Sequence, residues 1–401
     1  MASSLRTRLR IAATVLFARG FFDAIAGRFL LAPLPPPGGG ESEPASGRGK
    51  ERGLRGALHV HTSTYSDGAG TIEEVMEAAK RAGVDFVLLT DHNTMRPKAD
   101  GLEERYANRT PFLIVGDEIT VEGGAFLLAL DLPGDFEFPV KRPPQEAIDA
   151  VISAGGLPLV SLPFDMKHPW EAWGCTGCEG LEVLNLSTVA REQINVPSLL
   201  FWLLPLWWRK GELAVIRSLC ARPDAALARW DAQLASGKKS IGLGALDAHA
   251  LMKIGGKKYP VPSYENSFRA VSTHVHARER IPAAVHDALR AGECYFAYDC
   301  LGDAHGMVFA PIPPPGGGES EASLRAERFG GQTLYAQAPD PKSLVRLYFQ
   351  GKVVAAGWGE VTLEVRAAGA YRVEVYKVWR RVGALCIGAR PWIFTNPIYV
   401  R

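Results

Sequence analysis

A chain of 401 residues with 47% apolar side chains is long enough for one large core and a smaller appended domain, and too apolar for global disorder. A formal net charge of +2 is too small for a nucleic-acid footprint, and no stretch joins clustered Lys and Arg to interleaved aromatics, so nucleic acid is set aside as the main partner. Six cysteines, of which only Cys175 and Cys178 are close in sequence, make no disulfide framework. That pair falls short of the four ligands of a structural zinc site and reads as two loop cysteines or a local redox pair.

In chain order, Arg6, Arg8 and Arg10 precede an apolar run from Ile11 to Phe22 and then Ala24-Ile25-Ala26, the outline of an export signal with a small-residue cleavage site. Arg19 interrupts the run. A charge there costs roughly 2.5 to 3.5 kcal/mol on insertion scales, so an amphipathic leader on a membrane surface is an equal reading. Residues 33 to 53 are a Pro, Gly, Ser and Glu tract that cannot bury enough apolar surface to order itself, and they read as a linker. Almost the same words return from Ala310, but an isolated duplicate without a fixed period is not a solenoid repeat.

Apolar runs then alternate with helical patterns. A strand at Ala57 to Val60, a helix at Ile72 to Ala82 and a strand at Phe86 to Leu89 are followed by strands at Phe112 to Val115, Phe126 to Leu130, Leu157 to Val160, Leu181 to Leu184 and Ile241 to Ala245. Such alternation predicts parallel strands with crossover helices. The stretch from Val189 to Leu234 reads as mainly helical with breaks at Pro197, Pro205 and Pro223. Within it, Leu199 to Trp208 is too short to span a bilayer, which takes about 20 residues, so its aromatics are expected to pack on the barrel or sit at a membrane surface. After about Cys300, Leu344 to Val354 and Val361 to Val378 show period-2 patterning with turns at Gln350-Gly351 and Ala368-Gly369, which predicts a small antiparallel β-sandwich. The resulting division is a leader at 1–32, a linker at 33–53, an α/β barrel at 54–300 and a β-sandwich at 301–401.

The chemistry gathers at strand ends. Alternation along the first strand puts His59 and His61 on one face, where two imidazoles can bind one metal, and Asp67 follows in a loop that Gly68 allows to turn tightly. The next strand ends in Thr90-Asp91-His92-Asn93, the third in Gly116-Asp117-Glu118, and the last barrel strand in Asp247-Ala248-His249. Each group alone has an ordinary structural explanation, such as a helix cap for Asp91. Four together at the C-terminal edge of the strands, where parallel α/β folds collect catalytic groups, point to a metal site.

The order His-x-His, Ser-Asp-Gly, Thr-Asp-His-Asn, Gly-x-Glu and Asp-Ala-His resembles that of the PHP (polymerase and histidinol phosphatase) superfamily, over about Gly56 to Tyr298. The closing stretch from Pro391 to Val400 resembles the end of the CehA/McbA-like metallohydrolases, many of them exported or envelope proteins, which tips the compartment slightly toward export. The resemblance implies a distorted seven-stranded (β/α)7 barrel with up to three divalent metals. Carried over by motif, His59, His61, Glu118 and Asp247 would hold one ion, and Asp67, His92 and His249 another. Ligand type leaves zinc, manganese and iron open. The family's third ion relies on two further histidines, but those positions here are Ala125 and Leu162, so two metals are expected and the third is not. His168 could substitute in principle, yet Pro169-Trp170 after it suggests loop packing.

The leading expectation is a metal-dependent phosphoesterase that attacks a small phosphate ester with a metal-bound water, whose pKa can fall to about 7. Asp91 and Asn185 stand as candidates for orienting the ligands, with helix caps as their plain alternative. A carbamate or amide hydrolase on the same metals stays open, as does a degenerate binding protein. Lys253, Lys257, Lys258 and Arg269 would favour phosphate if they lay at the mouth.

Overall fold

The structure, a computed structural model, describes residues 29–31, 53–137, 139–254, 257–312, 332–382 and 385–401. The leader and linker expected at 1–32 and 33–53 lie outside these residues apart from Gly53 and from Phe29–Leu31, which pair as a strand with Leu385–Ile387.

The expected apolar runs are strands. β1 (Leu54–Val60) leads to helix α1 (Ile72–Ala82), β2 (Phe86–Leu89) and β3 (Phe112–Val115), with β1, β2 and β3 parallel. Then come β4 (Asp117–Thr120), β5 (Phe126–Leu130), α2 (Pro144–Ser153), β6 (Leu157–Ser161) and β7 (Gly180–Asn185). The helical stretch holds α3 (Leu186–Gln193), α4 (Leu204–Lys210), α5 (Glu212–Leu219) and α6 (Asp224–Ala235), followed by β8 (Ile241–Ala245). α1 starts where the sequence says it should, because Thr71 and Glu74 form a reciprocal capping box. It stops at Gly83, whose φ of 73° favours a residue without a Cβ. Two of the three prolines expected to break the helical stretch do not. Pro197 sits in the first turn of the helical run 196–210, where a missing N–H costs nothing, and Pro205 lies inside that run, directly after its π-helical turn Leu199–Leu203; the real interruptions fall at 194–195, Gly211 and the approach to Pro223.

The α/β character holds, but the seven-stranded barrel does not close. β9 (Ser272–Val275), helix α7 (Pro282–Ala291) and β10 (Cys294–Ala297) continue the chain, and β10, β9, β1, β2 and β3 form one arc. A separate five-stranded sheet, β4-β5-β6-β7-β8, forms the other. Leu58, Phe86, Leu88, Phe112 and Ile114 from the first arc pack with Leu128, Leu130, Leu157, Leu159 and Leu243 from the second. Among the described residues the edges meet at isolated bridges, Val60 with Ala248 and His92 with Glu118, and at a bond from Leu246 N–H to the Leu58 carbonyl, with no continuous ladder. The physical reason lies at the seams. His59, Asn93 and Asp247 have φ of 66°, 55° and 52°, a left-handed backbone that cannot continue a ladder.

The C-terminal strands are antiparallel as expected, and Gln350-Gly351 forms the turn between β13 (Leu344–Phe349) and β14 (Lys352–Trp358), after β11 (Val308–Ile312) and β12 (Thr333–Gln337). β15 (Glu360–Glu364), β16 (Gly369–Lys377), β17 (Arg390–Thr395) and β18 (Ile398–Val400) complete the chain. The sheet β11-β12-β15 packs across an apolar layer of Leu334, Val345, Val373 and Trp392. β17 pairs with β10, Phe394 opposite Phe296, so the C-terminal strands extend the first arc as one continuous sheet. A buried network reinforces that join. Arg222, just before α6, makes two bonds of 2.8 and 2.6 Å to Glu374 on β16, and Arg372 bridges Glu374 and Asp231 of α6 at 2.7 Å each.

Candidate metal centre

All seven sequence-predicted ligands converge. His59 and His61 come from the end of β1, where a register shift against β2 sits between Leu58 and Val60. Simple alternation therefore does not place His59; its left-handed backbone does, and the two ring centroids still lie 5.0 Å apart, with the rings tilted by 56°. A non-glycine residue held so costs on the order of 1 to 3 kcal/mol and is characteristic of functional sites. Leu246 N–H and Ala248 N–H donate to the carbonyls of Leu58 and His59, both at 3.0 Å, which brings the Asp247 loop against β1. Gly68 serves close approach: a Cβ there would stand 2.5 Å from the His61 carbonyl oxygen.

Glu118 Oε2 lies 3.1 Å from His59 Nε2, 3.3 Å from His61 Nε2 and 3.2 Å from His92 Nδ1. Asp247 Oδ1 lies 3.6 Å from His61 Nε2 and 3.2 Å from His249 Nδ1, and Asp67 Oδ1 lies 3.0 Å from His249 Nε2. The side chains fall into two groups with ligand atoms close enough to share an ion, one of His59, His61 and Asp247 and one of His61, Asp67, His92 and His249. His61 thus belongs to both groups and Glu118 to neither, whereas the motif comparison gave both residues to the first ion alone. Its ring stacks on His249 at 4.1 Å.

These residues fit divalent cations. His59 Nε2, both nitrogens of His61, His92 Nδ1 and Glu118 Oε2 are buried without a hydrogen-bond partner, an arrangement that is costly unless something else satisfies them. Burial opposes charge on His59, but Glu118 and Glu182 push its pKa well up. Burial lowers His61 to about 3. Burial also opposes charge on His249, yet the hydrogen bond to Asp67 and the charge of Asp247 lift it to about 9. Burial raises Asp247, while His59 and His61 hold Glu118 well below the usual carboxylate range against its own burial. Several carboxylates so close together call for positive charge from outside the chain.

The two candidate positioning residues turn out differently. Among the described residues no hydrogen bond or ion pair joins Asp91 to an imidazole. Asp91 accepts from Thr62 N–H and Thr62 Oγ1, both at 2.7 Å, so it fixes the loop that leaves His61. Asn185 does cap α3, accepting from Thr188 N–H at 3.1 Å, and it also donates to Glu182 Oε2 at 2.9 Å. Glu182 is the residue the sequence reading passed over. Its Oε1 lies 2.6 Å from His59 Nδ1, the carboxylate-to-histidine contact that fixes which ring nitrogen faces a metal. Its only signal was a charged side chain in a strand, Gly180 to Asn185, that is buried throughout. Tyr264 was missed too; its hydroxyl sits 2.8 Å from the His61 carbonyl oxygen and 3.1 Å from that of His249.

Ala125 and Leu162 are buried and offer no ligand, and Leu162 N–H donates to Glu182 at 2.9 Å. His168 belongs to neither group; it stands against Gly124 and lines, with Ala125 and Trp170, a cavity of about 210 Å³. Arg269 lies away from the site, paired with Glu265 at 2.7 Å, and the side chains of Lys253, Lys257 and Lys258 lie outside the described residues. Among the described residues, Arg191 of α3 is a cation at the rim, 2.7 Å from Asp165 and 3.5 Å from Asp247. The Cys175 and Cys178 thiols are both free, the second raised to about 11 by burial.

Residues 57–138 match the PHP domain, a segment that includes His59, His61, Asp67, His92 and Glu118. An uncharacterised protein of Methanocaldococcus jannaschii is 27% identical over 124 residues, 28% of this chain and 68% of that protein. Among solved structures, the chain is similar to a two-domain Bacteroides vulgatus protein containing a predicted PHP-like metal-dependent phosphoesterase, at 17% identity, 86% of this chain, 95% of that one and a TM-score of 0.41. A lesion-specific endonuclease of Pyrococcus furiosus is similar at 12% identity, 59% of this chain, 56% of that one and a TM-score of 0.36.

Proposed function

We propose that this chain is a metal-dependent phosphoesterase of the PHP type, acting on a small phosphate ester with two divalent ions held by His59, His61, Asp67, His92, Glu118, Asp247 and His249. The observation that carries the reading is the set of orphaned, buried imidazole and carboxylate atoms aimed at one space. Bound divalent ions would supply a water acidic enough to ionise near neutral pH and would offset charge developing on a phosphoryl group.

The chain's own residues do the rest. Glu182 holds the His59 proton on Nδ1 and leaves Nε2 facing the centre. Asp91 and Tyr264 pin the two polar groups of the peptide that follows His61, its Thr62 N–H and its His61 carbonyl. Arg191 favours a phosphate over a neutral carbamate. Its guanidinium carries five N–H donors, and its two carboxylate contacts leave others for an anion at the half-exposed rim.

The test is turnover of a phosphomonoester, a phosphodiester and a carbamate ester by the metal-loaded full chain and by Arg191→Ala. The reading expects a phosphate ester to be hydrolysed and the substitution to raise KM at least tenfold with a smaller effect on kcat. Turnover of the carbamate alone, or a KM for phosphate indifferent to Arg191, contradicts it.

A further inference from the structure

The helical run from Val196 to Lys210 stands out from the surface that it should cover. Of its described side chains only Leu203 is buried, while Leu200, Phe201 and Trp208 are 53%, 72% and 93% exposed, and Trp202, Leu204 and Trp207 are exposed as well. Leu200, Leu204, Trp207 and Trp208 are spaced four, three and one residues apart, so they share one helical face. The expectation that these aromatics pack on the barrel fails. A contiguous apolar face of this kind on a folded protein marks an interaction surface.

Its charge selects the partner. From Ile194 to Gly211 the chain has Arg209 and Lys210 and no acidic residue, so this one segment carries as much net positive charge as the whole protein, +2. Glu212, the next acid along, is turned to Ser263 and Asn266, with bonds of 2.6 Å to Ser263 N–H and 2.6 Å to Asn266 Nδ2. A second copy is a poor occupant, because a two-fold contact of this segment would set Arg209 and Lys210 against a stretch that itself has no carboxylate. Tryptophan rings, with an apolar body and one N–H, suit the headgroup level of a bilayer, and adjacent cations suit acidic lipids. The run is too short to cross, and no helix among the described residues is long and apolar enough to do so. We propose that Leu200 to Lys210 is a peripheral docking surface for an anionic lipid bilayer. This stands independently of the bond the metal centre cleaves.

The test is co-sedimentation of the metal-loaded full chain with phosphatidylcholine vesicles with and without phosphatidylglycerol. Wild type should partition onto the anionic vesicles, with a blue shift of tryptophan emission and quenching by bromine-labelled lipid. Trp207→Ser/Trp208→Ser and Arg209→Ser/Lys210→Ser should each lower partitioning at least tenfold with metal content unchanged. If the serine pair disturbs folding, Trp208→Phe in an intact chain should still lose part of the quenching. The proposal is overturned if wild type ignores anionic vesicles or if the patch variants bind them as wild type does. It is also overturned if the patch instead drives a concentration-dependent dimer that the variants abolish.

Discussion

Replacing Glu182 with Gln tests how far the centre depends on a residue that would touch no metal. The carboxylate accepts on both sides: Oε1 faces His59 Nδ1 at 2.6 Å, and Oε2 takes Leu162 N–H and Asn185 Nδ2 at 2.9 Å each. An amide has one oxygen. If that oxygen stays on the Leu162 side, the NH2 points at His59 Nδ1, drives the ring proton to Nε2 and blocks the nitrogen that faces Glu118. If the amide flips, two buried donors face a third. Either outcome loses at least one buried, charge-assisted hydrogen bond, about 1.5 to 3 kcal/mol. That corresponds to roughly 10 to 100-fold in metal affinity, the usual range for carboxylates that orient a ligating histidine. The assay is chelator competition with zinc or manganese, alongside thermal unfolding in excess chelator to separate folding from binding. A Glu182→Gln protein that binds metal within twofold of wild type would show that His59 is not a ligand oriented this way.

The join between the helices and the C-terminal strands should fail in acid. Burial works against the charge on Glu374, but Arg222 and Arg372 hold its pKa at about 2, below the ordinary 4.5. A depressed carboxylate contributes stability above its unfolded pKa and loses it as pH falls through the folded value, here on the order of 3 kcal/mol between pH 4.5 and 2. Urea titrations at pH 5 and 3 should show that slope in wild type and a flatter one in Glu374→Gln; equal slopes count against the network. At pH 7, Glu374→Ala should cost about 3 to 5 kcal/mol, because it removes the buried carboxylate between the two arginines and leaves Arg222 Nε and Nη2 without their acceptor, and a loss under 1 kcal/mol contradicts this. Ala125→His/Leu162→His should raise the metal count by one per chain by elemental analysis, and an unchanged count would mean that these two positions do not face a common ion. Histidine suits position 162 better than leucine does, since φ there is 44°.

The strand-end ligands were legible because an apolar run that stops at a histidine or carboxylate leaves few places for that side chain except the rim. Glu182 escaped because it lies in the middle of β7, where a charge reads as an anomaly until its partner on the other arc, His59, is known. Arg191 escaped because a solvent-side arginine on a helix resembles any other until the helix is placed. Barrel closure was misread for a different reason. It turns on the left-handed backbone of His59 and Asp247, which neither propensity nor periodicity encodes. The pairing of β17 with β10 joins residues about a hundred positions apart, and period-2 patterning shows a strand but not its neighbour.

Elemental analysis of the purified full chain paired with phosphate ester turnover, for wild type and for His92→Ala, tests the central claim most directly. The account predicts about two divalent ions per chain with turnover in wild type, and loss of about one ion with most of the activity in the variant. A wild-type chain free of metal and turnover after reconstitution, or a His92→Ala protein with full metal content and activity, would contradict it.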